Sequence, residues 1–254
     1  MQTIIAKTTK ASEKIADKIK QAPSKRYDGE PARHLVYEFS IGLRLAHWIR
    51  ALSIVVLVVS GLYIAYVFAA PVPSGEPVNF MNAKWRVVHE IAGFVLIACF
   101  IFKIYLFIFD KQSHIERVSF WDFINPSIWI AQIKYYVLFS EHPRLKGTYN
   151  PLQFIAYLGF YIMLVLICLT GLILYVHNYH EGLGGLLYET MRYFELMFGG
   201  LANVRAIHHI VTWGIVIFVC VHVYMAVFNA IKGKNGGMDA IVSGYKYLDD
   251  EHHA

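Results

Sequence analysis

"VRAIHHIVTWGIVIFVCVHV", residues 204–223, carries three histidines in a stretch apolar enough to lie in a bilayer. Taking an imidazole out of water is costly, so an ionisable residue inside a membrane span marks a functional site by default. On an ideal helix, turning about 100° and rising about 1.5 Å per residue, His208 and His222 fall within about 40° of one another and about 21 Å apart along the axis. By the same arithmetic His209 lies about 140° off that face. The spacing selects His208 and His222 and leaves His209 a structural role, such as donating to a backbone carbonyl.

The rest of the chain supports a membrane reading. Of its 254 residues 57% are hydrophobic and only 16% charged, against roughly 25% charged in ordinary soluble domains. Four stretches, approximately 45–69, 87–109, 152–176 and 206–230, supply the roughly 20 apolar residues that a bilayer crossing needs. Lys and Arg number nine in residues 1–46, five in 110–151 and three after 229, but two in each of the loops 70–86 and 177–205. The positive-inside rule then places both termini in the cytoplasm. The lysine-rich start lacks the short apolar core and cleavage site of a signal peptide and is expected to remain uncleaved. The net charge of +5 is read as topology, because no aromatic-basic pattern for nucleic acid accompanies it.

The expected fold is an all-α integral membrane protein, a four-helix bundle with short interfacial helices. Its expected divisions are a cytoplasmic extension over 1–40, a transmembrane domain over 41–247 and a tail over 248–254. Ile4, Ile5, Ile15 and Ile19 form a weak stripe in the extension, with no function assigned. Residues 124–143, bracketed by Pro126 and Pro143, are too short to span and read as an interfacial helix. Residues 182–200 are flanked by glycines and carry Leu187, Met191, Phe194 and Phe198, suggesting an external helix on the membrane or against a partner.

Two imidazoles at two depths on one face cannot share one ion, but each can be completed from another helix. The first span enters from inside with His47 near its start, and the second enters from outside with His89 near its start. Matching depths pairs His47 with His222 toward the cytoplasm and His89 with His208 toward the outside. A pair of imidazoles facing across a bundle is the ligand set of a low-spin haem b, so two haems are expected, serving electron transfer rather than oxygen binding. Cys99, Cys168 and Cys220 all sit in apolar runs, and the absence of CxxC or CxxCH argues against covalent haem or an iron–sulfur cluster.

Arg44, Arg86 and Arg205 each precede a ligand histidine by one turn, where propionate binding and simple snorkelling are equal readings. Lys103 lies fourteen residues after His89 on the same face, placed to serve the inner haem's propionate or a quinone. Gly61, Gly93, Gly171 and Gly214 admit either a porphyrin plane or a close helix neighbour. His34, His114, His142, His177, His180, His252 and His253 lie outside the spans and read as surface residues.

"RLAHWIRALSIVVLVVSG" (44–61) and "RAIHHIVTWGIVIFVCVH" (205–222) resemble the first-span and last-span signatures of the cytochrome b subunits of membrane-bound nickel–iron hydrogenases. The likeness extends over about 35–247. Ser60 stands where that family usually has threonine, and the amino-terminal extension is longer than usual. The resemblance implies haem ligands at His47, His89, His208 and His222, the same four that helix geometry selects. It also implies partners, a small iron–sulfur subunit and a large nickel–iron subunit on the outer face of the bacterial inner membrane. Hydrogen would be oxidised there and electrons passed through the two haems to menaquinone or ubiquinone, making the chain the quinone-reducing subunit of a respiratory hydrogen:quinone oxidoreductase.

A quinone near the inner haem needs polar groups, and Tyr149, Asn150 and Gln153 at the start of the third span are the candidates. Asn-Pro is equally an ordinary helix start. Tyr193, Phe194, Met197 and Phe198, with the 70–86 loop, are the expected dock for the small subunit. The nearest competing function is the cytochrome b subunit of a formate dehydrogenase or thiosulfate reductase. A histidine-lined transporter is a different class, which predicts no Soret band, and a mere membrane anchor would still work without His47 or His222.

Overall fold

The computed structural model describes residues 33–66, 81–136, 149–233 and 237–249. The chain divides into two units, residues 45–224 and a second made of 1–44 together with 225–254. The amino-terminal stripe, Pro143, His142, His252, His253 and most of the 70–86 loop lie outside the described residues.

Four long helices account for the spans. They are α1 (Ile41–Tyr66), α2 (Met81–Phe109), α5 (Pro151–Asn178) and α7 (Leu201–Gly233). All are long and apolar enough to cross a membrane, so the chain is a multi-pass membrane protein. α1, α2 and α7 begin four to six residues before the expected apolar stretches, because backbone hydrogen bonding continues into the polar flanks that hydropathy excludes, while α5 exceeds its stretch by one residue at the start and two at the end. α5 begins on a capping box. The Asn150 side chain accepts from the Gln153 backbone N–H at 2.8 Å, Gln153 Oε1 accepts from the Asn150 N–H at 3.2 Å, and Pro151 fills the first turn.

Between α2 and α5 lie two short helices, α3 (His114–Ile124), which the sequence reading did not anticipate, and α4 (Pro126–Tyr136), which falls within the expected 124–143 segment. Pro126 starts α4, in keeping with its bracketing position. Asn125 before it is held extended, at ψ 109°, as the proline ring requires. After α5 comes α6 (Leu183–Met197), and Gly199 and Gly200, at φ 80° and 97°, make the tight turn into α7 that L side chains would resist.

The core of the 45–224 unit is an apolar layer to which all four spans contribute. Ile54, Leu96, Phe160, Leu164, Val211 and Ile215 are buried together. A second cluster, Ile173, Val176, Met191 and Val204, fastens α6 to the adjoining ends of α5 and α7. Leu187, Phe194 and Phe198 pack against it. Phe194 and Phe198 therefore face the bundle, and the exposed part of the expected dock is Tyr193 and Met197, joined by Leu196, each about two-thirds exposed.

The other unit contains a feature that composition did not suggest. β1 (Arg33–Tyr37) pairs antiparallel with β2 (Tyr245–Asp249), Arg33 opposite Asp249 and Tyr37 opposite Tyr245. The fold is otherwise all-helical, and this short ribbon joins the segment before α1 to the one after α7. The tyrosine rings at its end are 5.1 Å apart. α8 (Gly237–Ser243) leads into β2, and the Arg44 guanidinium donates to the carbonyl of Val242.

Candidate haem-binding sites

The two histidine pairs expected from helix arithmetic are the two that face each other. His89 on α2 and His208 on α7 have ring centroids 6.3 Å apart, and so do His47 on α1 and His222 on α7. A metal bonded to two opposed imidazoles, about 2.0 Å to each nitrogen and about 1.1 Å more to each ring centre, requires a separation of about 6.2 Å. Both pairs match that requirement. His209 is exposed on another side of α7.

The His89–His208 site is built further. Ser60 on α1 donates its single hydroxyl proton to the carbonyl of Val56 at 2.6 Å, so its oxygen accepts from His89 Nδ1–H at 2.9 Å. Thr170 on α5 repeats the device, donating to Leu166 O at 2.7 Å and accepting from His208 Nδ1–H at 2.9 Å. Each hydroxyl fixes the tautomer that leaves Nε2 unprotonated, the form that ligates a metal. A Cβ on Gly61 would come within 3.1 Å of His89 Cε1, so the glycine after Ser60 lets that ring lie against the helix, whereas one on Gly171 would make ordinary contact with His208 Cε1 at 3.6 Å.

A cleft opens beside this pair, lined by His89, His208, Gly93, Gly171, Phe94, Ile97, Cys168 and Leu172 among others. Its apolar walls and two opposed imidazoles fit a porphyrin. Gly93 and Gly171 thus border the slot, whereas Gly214 serves packing, since a Cβ there would meet Met163 Sδ at 2.8 Å.

The His47–His222 site is framed by aromatic rings. Phe218 stacks on His222 with centroids 5.9 Å apart, Tyr157 meets the same imidazole edge-on at 6.1 Å, and Trp48 meets His47 at 5.5 Å. No metal-ligating cluster of three or more His, Cys, Asp or Glu occurs among the described residues. Two-histidine pairs are therefore the available ligand sets.

Lys103 is buried, and its ammonium is occupied by Glu116 of α3, at 2.8 and 3.1 Å. Glu116 thus supplies the lysine with a counter-ion. Tyr149 donates to the same carboxylate at 3.4 Å, and burial pushes its phenol well above the ordinary value. Asn150 and Gln153 use their side chains in the cap of α5. Arg86 and Arg205 are exposed, and Arg44 is bound to Val242.

Two groups escaped the sequence reading. Arg50 was passed over although, within the four apolar stretches, it and Lys103 are the only cations. His177, read as a surface residue, is hydrogen bonded through Nε2 to Glu195 Oε2 at 2.5 Å, and Arg192 also donates to that carboxylate at 2.8 Å. The hydrogen bond from His177 holds the Glu195 carboxyl below its ordinary value, with Arg192 adding to the effect. A depressed carboxyl stabilises the fold fully above the unfolded value of about 4.3 and loses that contribution as the pH falls through the lower folded value. Glu195→Gln should therefore lower the thermal stability of the detergent-solubilised protein at neutral pH. The gap to the parent should close in melting curves taken below that carboxylate value, and an equal gap at all pH values would contradict the assignment.

The chain is 31% identical over 229 residues to the "Probable Ni/Fe-hydrogenase B-type cytochrome subunit" of Azotobacter vinelandii, covering 85% of this chain and 90% of that one. It is 27% identical over 257 residues to the protein of the same name from Bradyrhizobium diazoefficiens, covering 98% and 100%. With the "Probable Ni/Fe-hydrogenase 1 B-type cytochrome subunit" of Escherichia coli K12 it shares 27% identity over 83% of this chain and 90% of that one. Residues 38–244, which take in all four spans and both histidine pairs, match a single family along their whole length, and the chain belongs to the prokaryotic cytochrome b561 family.

Proposed function

We propose that the chain is the di-haem cytochrome b subunit of a nickel–iron uptake hydrogenase, anchoring its partners in the bacterial inner membrane and connecting them to membrane quinone. The observation that carries this reading is the pair of matched sites. Four histidines from three spans form two opposed pairs with the same 6.3 Å separation. The names of the relatives supply the hydrogenase context.

Bound between such rings, haem b supplies a one-electron carrier whose iron has no open position for oxygen. The protein's part is to hold Nε2 of each histidine toward the metal, which Ser60 and Thr170 do for His89 and His208 through the Nδ1 protons. The buried layer around Ile54, Leu96, Leu164 and Ile215 keeps water from the region between the two sites. Charge topology puts His89 and His208 toward the outside, where the iron–sulfur partner would deliver electrons, and both termini in the cytoplasm. Quinone would be met near His47 and His222. Tyr149 is the candidate hydrogen-bonding group there, and Asn150 and Gln153 fix the helix start beside it. Exposed Tyr193, Leu196 and Met197 on α6 offer apolar area to the small subunit.

The test is pyridine haemochrome quantitation on the purified full chain, followed by hydrogen-driven quinone reduction in the assembled complex. About two haem b per chain and quinone reduction that requires this subunit are expected. Cofactor-replete protein containing no haem would sink the relay reading, and haem without hydrogen-dependent quinone reduction would move the chain to another respiratory complex.

A further inference from the structure

Arg50 lies one turn beyond His47 on α1 and, by the helix rise, about 13 Å from the start of that helix. It lies within the apolar stretch rather than in its polar flank. Its guanidinium lies over two rings of α5, with Cζ 5.9 Å from the centroids of both Phe160 and Tyr161. Phe160 stacks on Phe218 at 4.3 Å, and Phe218 stacks on His222. A continuous set of ring contacts therefore leads from the cation to the inner ligand pair. Nη1 is buried and has no hydrogen-bond partner. Lys103, the other cation of the apolar stretches, is neutralised by Glu116, but no ion pair is found for Arg50 among the described residues.

Holding a half-buried cation without a counter-ion is costly, and aromatic faces offset only part of the cost. It is retained at low cost where a nearby group becomes more negative during function. Acceptance of one electron lowers the charge of the site between His47 and His222 by one, and a fixed positive charge in a weakly screening interior favours that state. We propose that Arg50 sets the redox potential of the inner site, holding the haem between His47 and His222 at a higher potential than the same ligands would give alone. This rests on the two-haem reading above. The difference between the sites then has a physical origin. Ser60 and Thr170 hydroxyls support the outer ligands, and a full positive charge stands beside the inner ones. Electrons entering at His89 and His208 are drawn toward His47 and His222.

The experiment is a potentiometric titration of the haem α-band on the full chain in detergent, comparing the parent with Arg50→Met, Arg50→Gln and Arg50→Lys. The inner wave is identified as the one missing in His222→Ala. In the Met and Gln variants, the reduction equilibrium of the inner haem should fall at least about tenfold, or about 59 mV for one electron. The outer wave should stay in place, and Arg50→Lys should recover most of the shift. Two haems with both waves unmoved in the Met and Gln variants would overturn the proposal while leaving the two-haem reading intact. Loss of the inner haem in the Lys and Gln variants alike would make Arg50 a packing residue and overturn it as well. A parent protein lacking the second haem would be a failure of the underlying reading instead.

Discussion

Replacing His222 with alanine takes the haem content of the purified chain from about two to about one per polypeptide, because one imidazole cannot give a closed six-coordinate iron. The spectrum that remains should be that of the His89–His208 site, about 21 Å away along α7 by the helix rise, with its own wave unchanged in a redox titration. Hydrogen-driven quinone reduction in the complex should fall to background, since the site nearest the proposed quinone is gone. His209→Ala is the control. His209 is exposed on another side of α7, so the variant should keep both haems and full activity. If His222→Ala retained two haems, the inner pairing would be wrong.

The second large effect concerns the hydroxyls. Partners that orient a metal-bound histidine are typically worth about 10- to 100-fold in affinity. Ser60→Ala combined with Thr170→Val removes both acceptors while nearly preserving volume, and it frees each Nδ1 proton to seek another partner. The haem between His89 and His208 should then be lost faster by about that factor, measured as transfer to excess apomyoglobin, while the other haem leaves at the parental rate. Equal rates for both sites in the double variant would show that the hydroxyls merely bond their own helices. Ser60→Thr should behave as the parent, because threonine keeps the oxygen and already performs the task at position 170.

Much of this arrangement was legible before any coordinates. The fourteen-residue interval in α7 fixes two depths on one face, and antiparallel crossing assigns His89 and His47 to them. Apolar length and charge asymmetry mark the spans. What periodicity could not supply were contacts between side chains of different helices. Ser60 was visible only as a departure from a motif, although its oxygen meets His89. Lys103 lay on the expected face, but the loop helix that brings Glu116 to it has no signature in hydropathy. The apolar stripe on α6 was read as one surface. That stripe, Leu187, Met191, Phe194 and Phe198, packs against the bundle, so of the expected dock on this helix only Tyr193 and Met197 are exposed. Arg50 had a signal, a lone positive charge in an apolar stretch, but it fell one turn beyond the ligand and outside the Arg-before-His pattern.

The ribbon of β1 and β2 bears on how such a chain is made. Its strands are about two hundred residues apart in sequence, so the first to leave the ribosome must wait for the last helix to be placed before it finds its partner. An even number of crossings returns both strands to the same aqueous compartment. One missed or extra insertion would leave them on opposite sides of the bilayer, where no backbone hydrogen bond could form between them. Closure of the ribbon thus registers that the whole membrane topology has been completed correctly, and protease accessibility of residues 33–37 would distinguish finished molecules from misinserted ones.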